Sequence, residues 1–234
     1  MKQKLIAVIA SSLLFSVASA QAEEVFVTGS RLSENYSGMP AVTIKKPADF
    51  LVQEVELTND SRSPDLRRKE ILSTIEGMLR RAAADKQIAL SYGKGFLLPI
   101  DLTDDSLQIV DGKGRADTSS VRIFVKIILA AGDNTKARIA DLRNFISHAQ
   151  IVGRTEIDPV GDVGLSIVDP EKYRYELLTK IAEENRRLIK AIGGKCKVTL
   201  TDLTSRVRWQ RTEVAELTLF IPYSTEAHDC AYEP

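Results

Sequence analysis

Apolar and polar residues alternate with a period of two between Val121 and Leu129, where every odd-numbered residue is valine, isoleucine or leucine. This alternation predicts a β-strand and is the strongest strand pattern in the chain. A less regular alternation favours an extended stretch over residues 41–57, interrupted by two lysines and a proline at positions 45–47. Further strands are predicted at residues 25–28, 88–90, 96–100, 155–168, 196–209 and 214–222. The last two are expected to form a hairpin, and the strand at 155–168 to bend or bulge.

The segment after residue 63 repeats apolar residues every three or four positions, which predicts an amphipathic helix of about 20 residues. Ser63 suits the N-cap because its hydroxyl accepts a hydrogen bond from the first turn, and Pro64 suits the first helical position. The face predicted to be buried carries Ile71, Leu72, Ile75, Met78, Leu79, Ala82 and Ala83. The opposite face, with Arg67, Lys69, Glu76 and Arg80, is expected to face solvent.

Two more helices are predicted in the second half of the chain. Asp133 or Asn134 caps the second helix, and Asp169 followed by Pro170 begins the third. The inward faces carry Ile139, Leu142 and Ile146 in the second helix, and Tyr173, Leu177, Leu178, Ile181, Ala182, Leu188, Ile189 and Ile192 in the third. The glycine pair 193–194 ends the third helix, because glycine adopts the left-handed C-cap conformation. This order predicts a single α+β domain, with three amphipathic helices packed on a largely antiparallel sheet.

The first twenty residues have the order of a secretory signal peptide. Lys2 and Lys4 precede an apolar stretch over residues 5–14, and a small-x-small pattern ends at Ala20. The apolar stretch is too short to cross about 30 Å of hydrocarbon as a permanent anchor. The leader is therefore expected to direct export to the periplasm or another compartment outside the cytoplasm, with cleavage near Ala20 and a mature chain that begins near Gln21. An uncleaved N-terminal anchor is the alternative.

Without its leader the chain carries 30 basic and 32 acidic residues, since two of the 32 lysines and arginines lie in the first twenty positions. This balance argues against nucleic acid as a partner and against a polybasic membrane anchor. No later apolar run has the length of a transmembrane helix, so no membrane anchor is expected in the mature chain. The expected organisation is a signal peptide at 1–20, a strand and loose connection at 21–45, the α+β domain at 46–225 and a tail at 226–234.

Cys196 and Cys230 are the two cysteines of the chain. In an oxidising compartment an even pair favours a disulfide, which would be worth about 3–4 kcal/mol across this loop in the chain-entropy model. The alternative is one buried thiol and one tail thiol that never meet. Neither cysteine has the close cysteine or histidine neighbours of a zinc site.

Residues with catalytic chemistry are few. His148 and His228 are the only imidazole bases of the chain. His148 follows Ser147 near a predicted helix end, where a solvated role is more usual than a nucleophile pair, and His228 lies in the predicted tail. No catalytic, cofactor-binding or metal-binding residue is therefore predicted, and no cofactor is expected.

Arg206, Arg208 and Gln210 alternate with Val207 and Trp209 along one predicted strand. Side chains on a strand point to opposite faces at a period of two, so the polar groups share one face. The three polar residues form a candidate partner face for an acidic protein, a phosphate or another subunit. The alternative is a solvent-facing strand with Trp209 in the core.

The segment from Val25 to Arg31, Val-Phe-Val-Thr-Gly-Ser-Arg, resembles the start of the plug in TonB-dependent outer-membrane receptors. The likeness covers seven residues, and the chain is far too short for the large barrel of such receptors. A strand followed by a glycine turn explains the same residues.

A longer resemblance runs through most of the mature chain. The opening Val-x-Val-Thr-Gly strand, the Pro-Ala-Asp lead at 47–49, and the late helix closed by two glycines before a hairpin are similar to the exported SIMPL-domain family. The resemblance implies a signal peptide and a compact α+β domain, assembly into homo-oligomeric rings in some members, and no established catalytic site. The chain departs from the family in its charged late helix, where an alanine-rich one is usual, and in its two cysteines.

Two hypotheses of function follow from these features. In the first, the chain is an exported, non-enzymatic envelope protein with a SIMPL-like domain that acts by self-association or by contact with an envelope partner. In the second, it is a periplasmic module that captures a small ligand between helix and sheet, or an accessory protein related to TonB-dependent uptake. An exported hydrolase is a third hypothesis, which requires a histidine beside a nucleophile in a cleft.

Overall fold

A computed structural model describes residues 24–27, 39–103, 106–112, 115, 117–192 and 196–230. Its strands are β1 (Glu24–Val27), β2 (Ile44–Pro47), β3 (Phe50–Asn59), β4 (Ile88–Tyr92), β5 (Phe96–Pro99), β6 (Val110–Asp111), β7 (Ser119–Ile128), β8 (Thr155–Val168), β9 (Lys197–Thr201), β10 (Arg208–Arg211), β11 (Glu216–Phe220) and β12 (Ser224–His228). Its helices are α1 (Pro64–Asp85), α2 (Thr135–Ser147) and α3 (Arg174–Ala191), and a 3-10 turn at Pro170–Tyr173 precedes α3. The described strand pairs are antiparallel, which confirms the predicted α+β class.

Seven strands form the main sheet in the order β3-β8-β1-β5-β4-β7-β6. Strand β3 also pairs with β7 over its whole length, from Phe50 to Asn59. The first six strands therefore close into a small barrel, while β6 pairs with the start of β7 beside it. Because side chains alternate across a strand, each strand turns one face into the barrel and the other outward.

The outer face of the barrel carries the main hydrophobic core. Leu51, Ile123 and Ile127 on the strands pack in one cluster with apolar residues of the three helices. The helix residues in that cluster that are at most 2% exposed are Ile71, Ile75, Met78, Leu142, Leu177 and Ile181. A second, smaller cluster of Val52, Leu97, Phe124 and Phe50 lies on the opposite strand face. The helices thus cover the outside of the barrel, and a separate apolar group fills part of its interior.

Helix α1 begins as predicted, with the Ser63 hydroxyl accepting a hydrogen bond from the Leu66 amide at 3.3 Å. The prediction that Arg67 faces solvent is wrong, because this side chain is only 4% exposed. Its Nε donates to the Ser119 hydroxyl at 2.7 Å, and a terminal nitrogen donates to the Ser61 carbonyl at 3.1 Å. The ends of two strands lie over the first turn of α1 and enclose the guanidinium there.

Asn134, one of the two predicted caps, begins α2 by accepting a hydrogen bond from the Ala137 amide at 3.2 Å. The predicted cap at Asp169 is wrong. Its backbone is left-handed, with φ of 49°, and its side chain caps nothing. The chain instead makes a 3-10 turn before α3.

The apolar stripe of α3 is buried over its first half alone. Leu177 and Ile181 are buried, whereas Leu188 is 36% exposed and Ile192, just after the helix, 38%. The helix runs past the edge of the core it packs on, which sequence periodicity does not reveal. The predicted end at 193–194 lies outside the described residues.

Two small sheets follow from the late strands, with orders β10-β11-β2 and β12-β9. Residues 45–47 do not interrupt a strand as predicted, since they pair with β11. The predicted strand at 196–209 is two strands, separated where Arg174 binds the carbonyls of Leu203 and Ser205 at 3.0 and 2.5 Å. The predicted hairpin is formed by β10 and β11. Strand β12, which pairs with β9, was not predicted, and its last three residues lie in the segment predicted as a tail from residue 226.

No helix among the described residues is long and apolar enough to cross a membrane. The predicted leader at 1–20 lies outside those residues.

Candidate functional site

A groove lies between the end of α2 and the first half of β8, on the outside of the barrel. It encloses about 670 Å³. The residues lining it are Gln53, Arg143, Ile146, Ser147, Ala149, Ile151, Thr155, Glu156, Ile157, Asp158, Pro159 and Gly161. We call it the α2–β8 groove.

The apolar lining of the α2–β8 groove comes from both sides and from the loop between them. Ile146 of α2 is buried, Ile157 of β8 is half-buried, and Ile151 in the loop is 45% exposed. An isoleucine exposed to that extent beside other apolar groups offers surface that a bound molecule would remove from water.

Charged groups stand at the margins of the α2–β8 groove. Arg143 comes from the helix side, and Glu156 and Asp158 come from the strand side. All three are exposed, and none makes a hydrogen bond or ion pair with another residue that the structure describes. The groove therefore combines apolar lining with one cation and two carboxylates that are available to a ligand.

The loop that carries Ile151 is fixed to α1 by a carboxylate. Glu70 accepts hydrogen bonds from the Asn59 amide at 2.8 Å, the Ser61 hydroxyl at 2.7 Å and the Arg154 backbone amide at 3.0 Å. These bonds, of which that from Asn59 has the largest effect, lower the pKa of Glu70. Since the same carboxylate binds a strand end and the loop, it fixes the position of one wall of the groove.

Two further contacts complete the walls. The guanidinium of Arg81 donates to the carbonyls of Phe145 and His148 and so fixes the end of α2. The Gln53 amide donates to the Val160 carbonyl at 3.0 Å, at the point where the register between β3 and β8 shifts. That shift is the bulge predicted for residues 155–168.

The predicted partner face is only partly on one strand. Arg208 and Gln210 lie on β10, where Arg208 is exposed and Gln210 is half-buried. Arg206 is exposed and precedes the strand, next to the buried Val207. Trp209 is half-buried against the main core. These residues do not line the α2–β8 groove, so the structure does not bring the two candidate surfaces together.

Cys196 and Cys230 are joined by a disulfide. The bond links the residue before β9 to the residue two positions after β12, and so closes the ends of the two-stranded sheet.

Ser147 and His148 stand next to each other at the end of α2. The Ser147 hydroxyl lies 3.2 Å from Nδ1 of His148, and the same Nδ1 lies 3.0 Å from the Asn144 carbonyl oxygen. A carbonyl oxygen only accepts, so the contact with Asn144 is a hydrogen bond only in the tautomer that carries the proton on Nδ1. In that tautomer Nδ1 has no lone pair with which to accept the proton of Ser147. Within the part of the chain that the structure describes, no group of three or more histidine, cysteine or acidic residues is arranged to hold a metal.

The sequence analysis did not identify the α2–β8 groove. Arg143, Ile151 and Ile157 come from a helix, a loop and a strand, and no spacing along the chain relates them. The available signal was the pair Ile151-Val152, apolar residues in a short connection, where polar residues are more usual.

No protein-family model matches the chain, and no curated protein matches its sequence. Among solved structures, an amidase of the hydantoinase/carbamoylase family from Burkholderia phymatum is similar to 64% of this chain, with 10% sequence identity and a TM-score of 0.29. The similar part spans 38% of the amidase chain. A likeness of this size carries no argument about the fold or the chemistry of this protein.

Proposed function

We propose that this chain is an exported envelope protein that acts by binding rather than by catalysis, and that the α2–β8 groove holds its ligand. The observation that carries the proposal is the groove itself, with apolar lining from both sides and charged groups without partners among the described residues. Ligand sites in proteins combine these features, a mostly apolar concavity with a few polar groups that orient the ligand.

The lining favours an amphiphilic ligand whose acidic group lies on the helix side of the groove, because Glu156 and Asp158 on the strand side would repel it. The apolar part of such a ligand would cover Ile151 and Ile157, and its acid would bind the guanidinium of Arg143. A guanidinium binds a carboxylate or sulfonate through two parallel hydrogen bonds, which orients the ligand as well as holding it.

The same geometry supports a binding role over a hydrolytic one. A hydrolase needs a nucleophile, a base within hydrogen-bond reach and donors for a developing oxyanion. Ser147 lines the groove, but the imidazole beside it is bonded to the Asn144 carbonyl.

The binding proposal is tested with the mature protein and the anionic dye 1-anilinonaphthalene-8-sulfonate, an aromatic sulfonate that matches the proposed chemistry. Titration followed by fluorescence is expected to show saturable binding, and the melting temperature is expected to rise with dye concentration. Arg143→Glu and Ile151→Asp are each expected to weaken the affinity about tenfold or more.

Two matched variants control for general changes in surface charge and hydrophobicity. Arg187→Glu reverses an exposed arginine on another helix, and Leu98→Asp alters an apolar residue of β5 that is 44% exposed and does not line the groove. Both are expected to bind the dye as the unaltered protein does. Equal affinity in the groove variants and their controls would contradict the assignment of the site.

Self-association is a second proposal, which the resemblance to the SIMPL-domain family implies. Its structural support is the position of the N-terminal strand. Strand β1 completes a barrel whose other five strands all come from residues 50–168. Light scattering on the mature chain is expected to show a mass that rises above one chain with concentration. A single-chain mass at every concentration would exclude stable self-association.

A further inference from the structure

Strand β1 completes the barrel with only four residues. It lies between β8 and β5 and is antiparallel to both, with Glu24 opposite Val168 on one side and Leu97 on the other. Strands β5 and β8 are not paired with each other among the described residues. If β1 were removed, the ring would open there, and β5 and β8 would each present an unpaired edge.

A buried ion pair fixes β1 in this position. The carboxylate of Glu24 accepts hydrogen bonds from the Lys126 ammonium and from the Ser166 hydroxyl, the latter at 2.7 Å. Glu24 and Lys126 are each 7% exposed, and Ser166 is fully buried. The Lys126 ammonium also lies 4.4 Å from the centre of the Phe50 ring. A charge buried to this extent is strongly unfavourable once its partner is removed.

The partners of β1 are remote in sequence. Lys126 and Ser166 follow Glu24 by 102 and 142 residues, and they come together only when β7 and β8 are in the barrel. The remaining five strands therefore form a slot with two strand edges and one buried ammonium. That slot selects a strand which carries a carboxylate at the position of Glu24.

The chain between β1 and the next strand is long enough to reach a neighbouring molecule. Eleven residues, 28–38, lie between β1 and the segment that begins at Met39, in which Val42 is buried in the main core. A segment of that length spans up to about 35 Å when extended. The backbone pairing and the Glu24–Lys126 contact would be identical whether β1 came from the same chain or from another copy, which is the condition for strand exchange.

We propose that the slot between β5 and β8 is a strand-acceptor site, and that β1 of a second copy of this chain enters it, with Lys126 selecting the strand through Glu24. This inference rests on self-association, the second proposal above, and is independent of the α2–β8 groove. Two copies would then associate by exchanging β1, rather than by contact between the surfaces of two fully folded chains.

Charge reversal in full mature chains tests the inference. Glu24→Lys places two cations in one chain's barrel, and Lys126→Glu places two carboxylates in the other's. When the two variants exchange strands, one barrel recovers the original pair and the other contains the reversed pair, so both ion pairs are restored. Co-refolding the two variants from urea is expected to give a one-to-one complex by native mass spectrometry, with a higher melting temperature than either variant alone.

Further variants separate exchange from failure to fold. The double variant Glu24→Lys/Lys126→Glu restores the pair within one chain and is expected to fold alone. If the single reversals do not refold, Glu24→Gln mixed with Lys126→Met offers a milder version of the same complementation. As a control, Glu76→Lys mixed with Arg80→Glu alters an exposed pair on α1 and leaves β1 intact, so it is expected to give only the statistical share of mixed complex, with no gain in melting temperature over either variant alone.

The outcomes distinguish the two ideas. If the unaltered protein self-associates but neither mixture yields a one-to-one complex, self-association uses another surface and the strand-acceptor site is refuted. If neither the unaltered protein nor either mixture associates, the second proposal and this inference both fail.

Discussion

Single residues position the groove more than any regular element does. Glu70 links the end of β3 to the loop that carries Ile151, through three hydrogen bonds to one carboxylate. Gly153, in the same loop, has φ of +61°, and a Cβ there would stand 2.0 Å from the Glu70 carboxyl carbon. The loop therefore requires both the acid and a residue without a side chain.

Gly153→Ala tests this requirement. Backbone strain in the left-handed region and the clash with Glu70 are expected to lower the free energy of unfolding by about 1–3 kcal/mol. Gly132→Ala is the matched control, since Gly132 also has positive φ, at +89°, but open space around its Cβ position. Urea denaturation measures both, and an equal loss in the two variants would mean that the contact with Glu70 has no effect.

The lowered pKa of Glu70 predicts a pH dependence of stability. A carboxyl whose folded pKa lies below its unfolded value stabilises the protein above the unfolded pKa, and this contribution is lost as the pH falls through the folded pKa. The loss is expected below a pH of about 4.5. Glu70→Gln is expected to be less stable than the unaltered protein at neutral pH and to lose less on acidification. Glu76→Gln, on the exposed face of α1, is the control.

Arg67 and Arg80 lie on opposite sides of α1, since thirteen residues at 3.6 residues per turn leave them about 140° apart. Arg67 is enclosed by Ser61 and Ser119, whereas Arg80 is exposed and pairs with Glu76 one turn away. Arg67→Met is expected to cost about 1–3 kcal/mol, because it leaves a buried carbonyl and a buried hydroxyl without this donor. Arg80→Met is expected to change stability by less than about 0.5 kcal/mol. Similar urea midpoints for the two variants would contradict this assignment.

At the scale of elements, α3 is the helix whose sequence pattern and packing differ most. Its apolar stripe continues past Ile181, but the core it covers ends there, so Leu188 keeps 36% of its surface exposed. Leu177→Ala is expected to cost about 2–5 kcal/mol as a buried truncation. Leu188→Ala is expected to cost less than about 1 kcal/mol, since little apolar area is lost. Comparable losses in urea denaturation would place both halves of α3 in the core.

At the scale of the whole molecule, the disulfide and the barrel ion pair join parts of the chain that are distant in sequence. Cys196 and Cys230 lie 34 positions apart and close the β9–β12 pair. Replacing both with serine is expected to cost about 3–4 kcal/mol by the chain-entropy model. Urea denaturation with and without reductant measures the loss, and mass spectrometry under the same conditions establishes the bond. An unchanged stability on reduction would show that the bond does not support the fold.

A feature of this structure could be predicted from the sequence when the residues that determine it are close together in the chain. Three predictions of this kind are confirmed: the Ser63 cap, the Asn134 cap and the strand at 121–129. In each case the residues that specify the helix or strand lie within it or next to it. Arg67 lies four positions before Ile71, so the helical period places it on the buried side of α1, and its charge alone led to the wrong prediction. The groove around Arg143 depends on how α2, the following connection and β8 pack together, for which spacing along the chain carries no signal.

The sequence by itself determined the α+β class, the positions of the three helices and most strands, because hydrophobic periodicity and capping act over one or two turns. Only the tertiary structure decided that six strands close into a barrel, that Glu24 meets Lys126 inside it, and that a groove opens between α2 and β8. Those features depend on which strand edges meet and how far a helix extends over the core. The folded arrangement minimises exposed apolar area and unpaired polar groups over the whole molecule, so no short segment determines these features.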